Sequence, residues 1–281
     1  MSKSLELEEF KQQIATIYNQ RSHKYDSEGN LHQQWAYRLV EYAHLRKGER
    51  ILDIATGTGL VAIAAAERVG ESGRVVGVDI STGMLQVARH KIEARGLNNI
   101  QLIQADAETL DFPDNSFDVI FCASALIFMK DIPAALRLWH KFLVPGGRIG
   151  IQVVAETAFV TSVVLQKVAK RYGVELILNE LTGTEEKCYV LLKAAGFEEI
   201  EIRAEQFGNY VTLAEAQGMW ESILNFPLCL SLRKLEPEKL MQVKAEYFDE
   251  LEALETEKGI WNDILTFFVF GRILDRSATL L

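Results

Sequence analysis

The sequence predicts an α/β protein built on a mostly parallel β-sheet. Short apolar runs alternate along the middle of the chain with stretches of helical periodicity, which is the pattern of strands joined by crossover helices. The chain is 281 residues long and 48% hydrophobic, enough for a large folded core. The apolar runs that we assign to the first five strands are 50–54, 75–78, 100–103, 117–121 and 148–154.

Two helices are predicted before the first strand. Apolar residues recur at helical spacing within 5–42, in one run with Ile14 and Tyr18 and in a second run with Trp35 and Leu39. The polar residues near 27–30 separate the two runs. We therefore expect an N-terminal helical segment, residues 1–46, ahead of the sheet.

The later elements have recognisable ends. Ser81 precedes the apolar positions of one helix, and Asp131 opens another. A helix over 184–195 is closed by Gly196 and leads to a strand near 199–206. Apolar and charged residues alternate in that strand, which predicts a half-exposed edge of the sheet.

A helical insertion is predicted before the last strand. Residues 263–273 are strongly apolar and are assigned to a buried strand, but a long segment separates them from the strand before. Residues 211–224 and 237–254 have helical periodicity, and a structureless loop of this length is unusual in a compact domain. The predicted parts are the N-terminal segment 1–46, a sheet domain of 47–206 with 262–275, and a helical cap over 207–261.

Composition excludes several classes of partner. The chain has 39 acidic and 30 basic residues, for a net charge of −9. Nucleic acids and anionic lipid surfaces are bound through clusters of Lys and Arg, and the sequence shows none, so we expect a small-molecule partner and no nucleic acid. No apolar run approaches a membrane span, and the first residues lack the pattern of a signal peptide, which predicts a cytoplasmic protein without a membrane span. The three cysteines are widely spaced and predict no metal site.

A glycine loop, residues 53–59, follows the first strand. Gly57 and Gly59 let the backbone turn tightly and let a ligand approach its amides. Asp79 ends the second strand and Asp106 follows the third. Each acid alone is more often an N-cap or a turn residue, but the carboxyl ends of parallel strands meet at one edge, where ligands of open α/β sheets bind. The sequence therefore predicts a nucleoside site at this edge, with the Asp79 carboxylate accepting hydrogen bonds from the ribose hydroxyls.

Two cofactor classes fit a nucleoside at this edge. Gly57, Gly59 and Ala62 satisfy the dinucleotide pattern GxGxxG/A. A dinucleotide site directs a helix N-terminus at a pyrophosphate, and the nearby carboxylate of Asp53 would repel that anion but favour a cation. S-adenosylmethionine carries a sulfonium and an ammonium group. It is therefore preferred to the nicotinamide dinucleotide of an NAD(P)-dependent oxidoreductase, which is the less favoured alternative.

Five segments form a recognisable series of motifs. They are Ile-Leu-Asp-Ile-Ala-Thr-Gly-Thr-Gly at 51–59, Val-Gly-Val-Asp-Ile-Ser at 76–81, Gln-Ala-Asp-Ala-Glu at 104–108, Phe-Pro-Asp-Asn-Ser-Phe-Asp at 112–118 and Leu-Val-Pro-Gly-Gly-Arg at 143–148. In this order they resemble the class I S-adenosylmethionine-dependent methyltransferases, in particular the ubiquinone/menaquinone-biosynthesis C-methyltransferase-like branch. The resemblance extends over roughly 47–206.

The resemblance implies a fold and a set of cofactor contacts. The fold is a Rossmann-like, seven-stranded sheet with an antiparallel last strand, and the N-terminal segment folds over the cofactor as a lid. The contacts are Asp53, Gly57 and Gly59 with the methionine part, Asp79 with the ribose, Ile80 and Met84 with the adenine face, and Asp106 and Ala107 with the adenine edge. The predicted cofactor site also includes Tyr25, Ala55, Thr56 and Cys122; Ala55 occupies a position where many members have a third glycine.

Methyl transfer from a sulfonium is an in-line displacement, so positioning in a dry pocket can supply much of the catalysis. Related enzymes often have a histidine after the fourth strand, and residues 122–129 contain none. The remaining candidates for a base are His23, His32 and Tyr25 in the N-terminal segment. Surface histidines on a lid are the commoner interpretation of the first two.

An apolar acceptor is predicted from the apolar residues of the cap. Trp220 and Phe226, with Tyr18 and Leu126, are expected to line a pocket for a quinone-like or natural-product acceptor, although core packing explains most cap residues. A different class of function is a catalytically silent protein that binds the cofactor as a partner of other proteins. The oligomeric state and the methylated atom are left open.

Overall fold

The computed structural model describes residues 3–27, 29–176 and 178–275. Seven strands form one sheet in the order β3-β2-β1-β4-β5-β9-β6, and β7 and β8 form a separate pair. The strands are β1 (Arg50–Ile54), β2 (Arg74–Asp79), β3 (Ile100–Gln104), β4 (Phe117–Ala123), β5 (Leu143–Val154), β6 (Glu198–Gln206), β7 (Asn209–Val211), β8 (Ile260–Asn262) and β9 (Leu265–Arg272).

Helices fill most of the connections. They are α1 (Lys3–Arg21), α2 (Leu31–Tyr42), α3 (Leu60–Val69), α4 (Thr82–Ala94), α5 (Ile132–Phe142), α6 (Val160–Arg171), α7 (Glu185–Ala194), α8 (Leu213–Gly218), α9 (Trp220–Leu224) and α10 (Pro237–Glu252). Short 3-10 helices cover Tyr25–Ser27, Leu126–Phe128 and Pro227–Lys234. None of these helices combines the length and the apolar character that crossing a membrane would need, within the described part of the chain.

The first five strands are parallel where their pairing is described. Strand β1 lies between β2 and β4, with Asp53 opposite Gly77 on one side and opposite Phe121 on the other. Leu52 and Ile120 have no exposed surface, because a parallel sheet has both faces covered. All the carboxyl ends therefore meet at the same edge of the sheet.

Strand β9 lies between β5 and β6 and runs against both. The Gly146 amide donates to the Ile273 carbonyl at 3.0 Å, whereas the Ala155 amide donates to the Leu265 carbonyl at 2.8 Å, so residue numbers rise along one strand as they fall along the other. This confirms the predicted antiparallel last strand. Strand β6 is the edge strand, and its alternation of half-buried and exposed residues agrees with the alternation in its sequence.

The chain divides into two compact units. The first contains the described parts of Met1–Val153, Glu185–Arg203 and Phe267–Leu281, and the second contains Val154–Thr184 and Ala204–Thr266. The described part of the N-terminal segment 1–46 thus belongs to the same unit as most of the sheet. The second unit is larger than the predicted cap over 207–261, because it includes α6 as well.

Helix α6 belongs to the second unit because it packs on α10. Lys167 pairs with Glu250 at 2.6 Å, and the Tyr172 hydroxyl donates to Glu246 at 2.6 Å. Beneath these polar contacts lies a shared apolar core. Its α10 members are Val243, Tyr247 and Leu251, which recur every four residues on one helix face and have no exposed surface.

Candidate cofactor and acceptor site

The glycine loop turns the chain from β1 into α3 through left-handed backbone. Gly57 and Gly59 have φ angles of 56° and 80°, and Ala55 has a φ of 53°. A Cβ atom at Gly59 would lie 3.2 Å from the Cβ of Ala88, so glycine lets the loop approach α4 closely. Ala55 accepts a conformation that disfavours side chains, and such strain is typical of ligand sites.

Asp53 supports the loop from behind. Its side chain is 1% exposed, and the Thr56 hydroxyl donates to its carboxylate at 2.6 Å. Burial raises the pKa of Asp53 to about 7, although the hydrogen bond from Thr56 acts in the opposite direction. The carboxylate therefore carries only part of its charge at neutral pH, and a cation brought near it would favour the charged form.

Asp79 connects the glycine loop to the start of α4. One carboxylate oxygen accepts from the Gly57 amide at 2.8 Å, and the other accepts from the Ser81 amide at 2.8 Å. Burial raises the pKa of Asp79, and these backbone hydrogen bonds oppose the shift. The carboxylate is thus fixed in one orientation where β2 ends.

Lys11 brings helix α1 to the acids that follow β3. Its ammonium group forms ion pairs with Asp106 and, at 2.9 Å, with Glu108. Burial disfavours the charged Lys11, but its hydrogen bonds to the two acids outweigh burial and raise the Lys11 pKa. The carboxylate predicted to bind the adenine edge is therefore engaged by the N-terminal segment.

Asn19 and Asp26 attach the N-terminal segment at two further places. The Asn19 side-chain oxygen accepts from the Gly83 amide at 2.8 Å, at the first turn of α4. Asp26 accepts from the Thr58 hydroxyl at 2.7 Å and pairs with Lys91 at 2.8 Å. These contacts attach the N-terminal segment to the glycine loop and to α4.

A cavity of about 740 Å³, counting the space that opens to solvent, lies under this segment at the carboxyl edge of the sheet. The predicted site residues that line it are Tyr18, Tyr25, Ala55, Gly57, Asp79, Ile80, Met84, Asp106 and Ala107. The structure thus brings together most of the residues that the motifs singled out.

Other predicted residues lie outside the cavity lining in the described structure. The side chains of Asp53 and Thr56 are hydrogen-bonded to each other, and Gly59 is the N-cap residue of α3. Cys122 and Leu126 are 0% and 1% exposed and belong to the core around β4. Burial raises the pKa of the Cys122 thiol far above its usual range. Their predicted contacts with a ligand stay predictions.

The candidate bases differ in position. His23 is exposed, and His32 packs with its ring centroid 4.9 Å from that of Tyr25 and 5.4 Å from that of Trp35. Tyr25 does line the cavity, and burial raises the pKa of its hydroxyl well beyond the usual value. A phenol that holds its proton so tightly is better suited to donate a hydrogen bond than to act as a base.

Trp220 and Phe226, the predicted acceptor residues of the cap, pack within the second unit. Trp220 is 4% exposed, and its ring centroid lies 5.3 Å from that of Tyr247 and 6.4 Å from that of Phe248. Phe226 packs against the same core. Core packing, the alternative that the sequence left open, describes both positions, and their contact with an acceptor stays a prediction.

Several lining residues escaped the sequence analysis. Lys11 is one of them, although Lys11, Ile14 and Tyr18 follow helical spacing and line the cavity from one face of α1. Ser124 and Phe128 after β4 are others; the sequence singled out Cys122 and Leu126 in that segment, and the structure buries both of these in the core. The additional lining residues are Val78, Ala105, Glu108, Ala123, Ala125 and Met129.

The chain is similar to proteins named for quinone biosynthesis. It is 39% identical over 166 residues to the ubiquinone/menaquinone biosynthesis C-methyltransferase UbiE of Azotobacter vinelandii, over 57% of this chain and 64% of that protein. The UbiE of Pseudoalteromonas translucida is 34% identical over 187 residues, 64% of this chain and 73% of that protein. Aklanonic acid methyltransferase DauC of Streptomyces sp. strain C5 is 40% identical over 141 residues, 50% of this chain and 64% of that protein. The chain therefore covers less than two thirds of the Azotobacter and Streptomyces proteins.

Solved structures show the same fold at low sequence identity. The YcgJ protein from Bacillus subtilis matches with a TM-score of 0.58 and 18% identity, over 86% of this chain and 98% of that chain. A SAM-dependent methyltransferase from Aquifex aeolicus matches with a TM-score of 0.55 and 17% identity, over 91% and 98% of the two chains. These likenesses confirm the predicted Rossmann-like fold.

A family model matches most of the N-terminal segment and most of the sheet. It describes the ubiE/COQ5 methyltransferase family and matches residues 6–195, which is more than half of this chain. The matched region contains the glycine loop, Asp79, Asp106 and every residue that lines the cavity. As its motifs predicted, this chain belongs to the ubiE/COQ5 methyltransferase family.

Proposed function

We propose that this protein transfers a methyl group from S-adenosylmethionine to a small, largely apolar acceptor of the quinone-like or natural-product class. The observation that carries the proposal is a single cavity in which Asp79 and the glycine loop meet an aromatic wall. Tyr18 and Phe128 form that wall, with their ring centroids 5.7 Å apart.

The residues of the cavity fit the proposed cofactor. Asp79 presents a carboxylate, held by two backbone amides, that can accept hydrogen bonds from the ribose hydroxyls. Ile80 and Met84 supply an apolar surface for the adenine ring, and Gly57 lets the methionine part approach the backbone. When bound, S-adenosylmethionine supplies a methyl group on a positively charged sulfur.

The chain's own contribution is positioning in a dry site. The lid is fastened through Lys11, Asn19 and Asp26, and it covers the cavity with Ile14 and Tyr18. Excluding water strengthens the electrostatic contacts of the site and prevents side reactions. Holding the acceptor beside the methyl donor would then lower the barrier. Transfer would leave S-adenosylhomocysteine, and the proton that the acceptor gives up would pass to water.

The acceptor class rests on the aromatic wall and on the relatives. Phe128 and Met129 follow β4 and offer an apolar surface for a planar ring. The printed names of the relatives, ubiquinone/menaquinone biosynthesis C-methyltransferase and aklanonic acid methyltransferase, support a quinone-like or natural-product acceptor. The first of these names favours carbon as the methylated atom.

A second candidate is a cofactor-binding protein with no methyl-transfer activity. One solved structure of this fold is the [4+2]-cyclase SpnF, with a TM-score of 0.52, 20% identity and coverage of 86% of this chain and 80% of that chain. That likeness concerns the fold alone, and one fold can host unrelated chemistry. Catalytic turnover therefore distinguishes the two candidate functions.

The two candidates are separated by methyl transfer from labelled S-adenosylmethionine. The purified protein is incubated anaerobically with the label and 1,4-dihydroxynaphthalene, and also with a small-molecule extract, and label is counted in the organic phase. The proposal expects protein-dependent label that falls in Asp79→Asn and persists in Arg38→Gln, a change on the exposed face of α2. Tight binding of S-adenosylmethionine, with no transfer of label to 1,4-dihydroxynaphthalene or to the extract, would favour the protein without methyl-transfer activity.

A further inference from the structure

Lys11 extends from helix α1 into the wall of the cavity, where it meets two acids that follow β3. Lys11, Ile14 and Tyr18 recur at helical spacing and line the cavity from one face of α1. The Lys11 ammonium group forms ion pairs with Asp106 and, at 2.9 Å, with Glu108. Both acids line the same cavity. A cation of the N-terminal segment thus lies at the surface that a ligand would contact.

Backbone amides fix the two acids from other directions. The Glu108 amide donates to one Asp106 oxygen at 3.0 Å, and the Lys11 ammonium donates to the other. The Asp131 amide, at the start of α5, donates to one Glu108 oxygen at 2.9 Å, and Lys11 pairs with the other. Each carboxylate is therefore held at both oxygens, and Lys11 is the group that the two acids share.

Asp106 can still accept a hydrogen bond from a ligand. A carboxylate offers about four acceptor sites, and the Glu108 amide and Lys11 use one on each oxygen. The Asp106 side chain is 25% exposed, so a ligand in the cavity can reach it. Two neighbouring carboxylates repel each other, and the ammonium between them offsets that repulsion. Removing the Lys11 charge should therefore turn the Asp106 carboxylate away from Glu108.

We propose that Lys11 is a positioning residue for the cofactor, which holds the Asp106 carboxylate in the orientation that accepts a hydrogen bond from the 6-amino group of adenine. This inference rests on the proposed function. The motifs assigned Asp106 to the adenine edge and assigned no role to Lys11. The expected consequence is specificity, because a site built to pair an amino group discriminates against a purine that lacks it.

Two other roles for Lys11 lead to different results. If Lys11 only fastens the N-terminal segment, its loss weakens the binding of every adenosine-like ligand by the same factor. If Lys11 competes with adenine for Asp106, its loss strengthens the binding of ligands that carry the amino group. The ratio of affinities for ligands with and without this group therefore separates the three roles.

The experiment measures two dissociation constants by isothermal calorimetry. The ligands are S-adenosylhomocysteine and its analogue with hydrogen in place of the 6-amino group. The parent should bind S-adenosylhomocysteine about tenfold or more tightly than the analogue, as expected for a hydrogen bond to a charged group. In Lys11→Met we expect the two ligands to bind within about threefold of each other, and Lys11→Arg, which keeps the charge, should retain the preference of the parent.

Lys91→Met is the matched control. Lys91 pairs with Asp26 at 2.8 Å, so it fastens the same N-terminal segment at a different place. Its loss should lower the affinity for both ligands by the same factor and leave their ratio at the value of the parent. Lys11→Ala carries the test if Lys11→Met does not fold.

Three results would overturn the proposal: no preference for the amino group in the parent, an undiminished or increased preference in folded Lys11→Met, or an equal loss of preference in Lys91→Met. A parent that binds neither ligand refutes the proposed function itself. A parent that binds both ligands alike, or a Lys11→Met protein that keeps the preference, refutes only the positioning role of Lys11.

Discussion

Asp79 holds the glycine loop and the start of α4 together, so replacing it should lower both stability and cofactor affinity. Its two oxygens accept from the Gly57 and Ser81 amides at 2.8 Å each, and the residue is 8% exposed. A hydrogen bond to a charged group contributes about 1.5–3 kcal/mol. Asp79→Ala, which loses both bonds, should therefore cost about 3–6 kcal/mol of stability, and Asp79→Asn, which keeps one acceptor, about half as much.

The same carboxylate is proposed to bind the ribose, and this adds a separate loss in affinity. Removing its hydrogen bonds to the ligand should weaken S-adenosylhomocysteine binding by about 1.5–3 kcal/mol, or roughly 10- to 150-fold in Kd. Calorimetry measures the affinity; because burial raises the pKa of Asp79, the titrations are run at alkaline pH, which favours the charged carboxylate. Thermal melts of the unliganded protein measure the stability, at roughly 2–4 °C per kcal/mol.

Asp118→Asn is the matched control. Asp118 accepts from the backbone amide of Arg50 at 2.7 Å and from the guanidinium group of the same residue at 3.1 Å. Asp118 lies at the amino end of β4, away from the carboxyl edge of the sheet. The Asp118→Asn substitution should lower the melting temperature and leave the Kd for S-adenosylhomocysteine within about twofold of the parent value. An Asp79→Asn protein that binds S-adenosylhomocysteine like the parent refutes the ribose contact, and an unchanged melting temperature refutes the supporting role.

Three further outcomes are expected. Lys11→Met removes the ion pairs with Asp106 and Glu108. Limited proteolysis within the first 27 residues should therefore be faster in this variant than in the Arg38→Gln control. Equal rates of cleavage would show that other contacts hold the N-terminal segment. Because Asp53 has a pKa of about 7 when folded and a usual value of 3.8, its contribution to stability is present below about pH 4 and is lost as the pH rises to about 7. Melts from pH 5 to pH 8 should show this fall, and Asp53→Asn should flatten it; a parallel profile in the variant would contradict the assignment. Trp220→Ala should cost about 3–5 kcal/mol of stability because it empties a core position, and a melting temperature within 2 °C of the parent would contradict that placement.

The glycine loop and the strand-end acids could be predicted because their signals are local. Gly57 and Gly59 stand where the backbone takes positive φ, and Asp79 ends a short apolar run of the kind that is typical of a buried strand. The order of these signals along the chain then fixes the edge of the sheet at which they meet. The family motifs repeat the same information.

Side-chain direction and long-range packing could not be predicted in this way. The Asp53 carboxylate accepts from the Thr56 hydroxyl, a contact that the sequence does not show because it does not say to which side a buried acid turns; its predicted contact with the ligand stays a prediction. The packing of α6 on α10 could not be predicted, because α10 lies far along the chain. Periodicity shows that a helix has an apolar face without showing what covers it. Lys11 was missed because a charged residue on an amphipathic helix is usually solvated.

Isothermal calorimetry of the purified protein against S-adenosylmethionine, S-adenosylhomocysteine and NAD tests the central claim most directly. The cavity, the Asp79 carboxylate and the glycine loop predict binding of the first two with one site per chain and no measurable binding of NAD. Asp79→Asn, titrated in parallel, should bind both S-adenosyl ligands more weakly. Binding of NAD with no binding of either S-adenosyl compound would contradict the account, because the cavity would then be a dinucleotide site and not the site of a methyl donor.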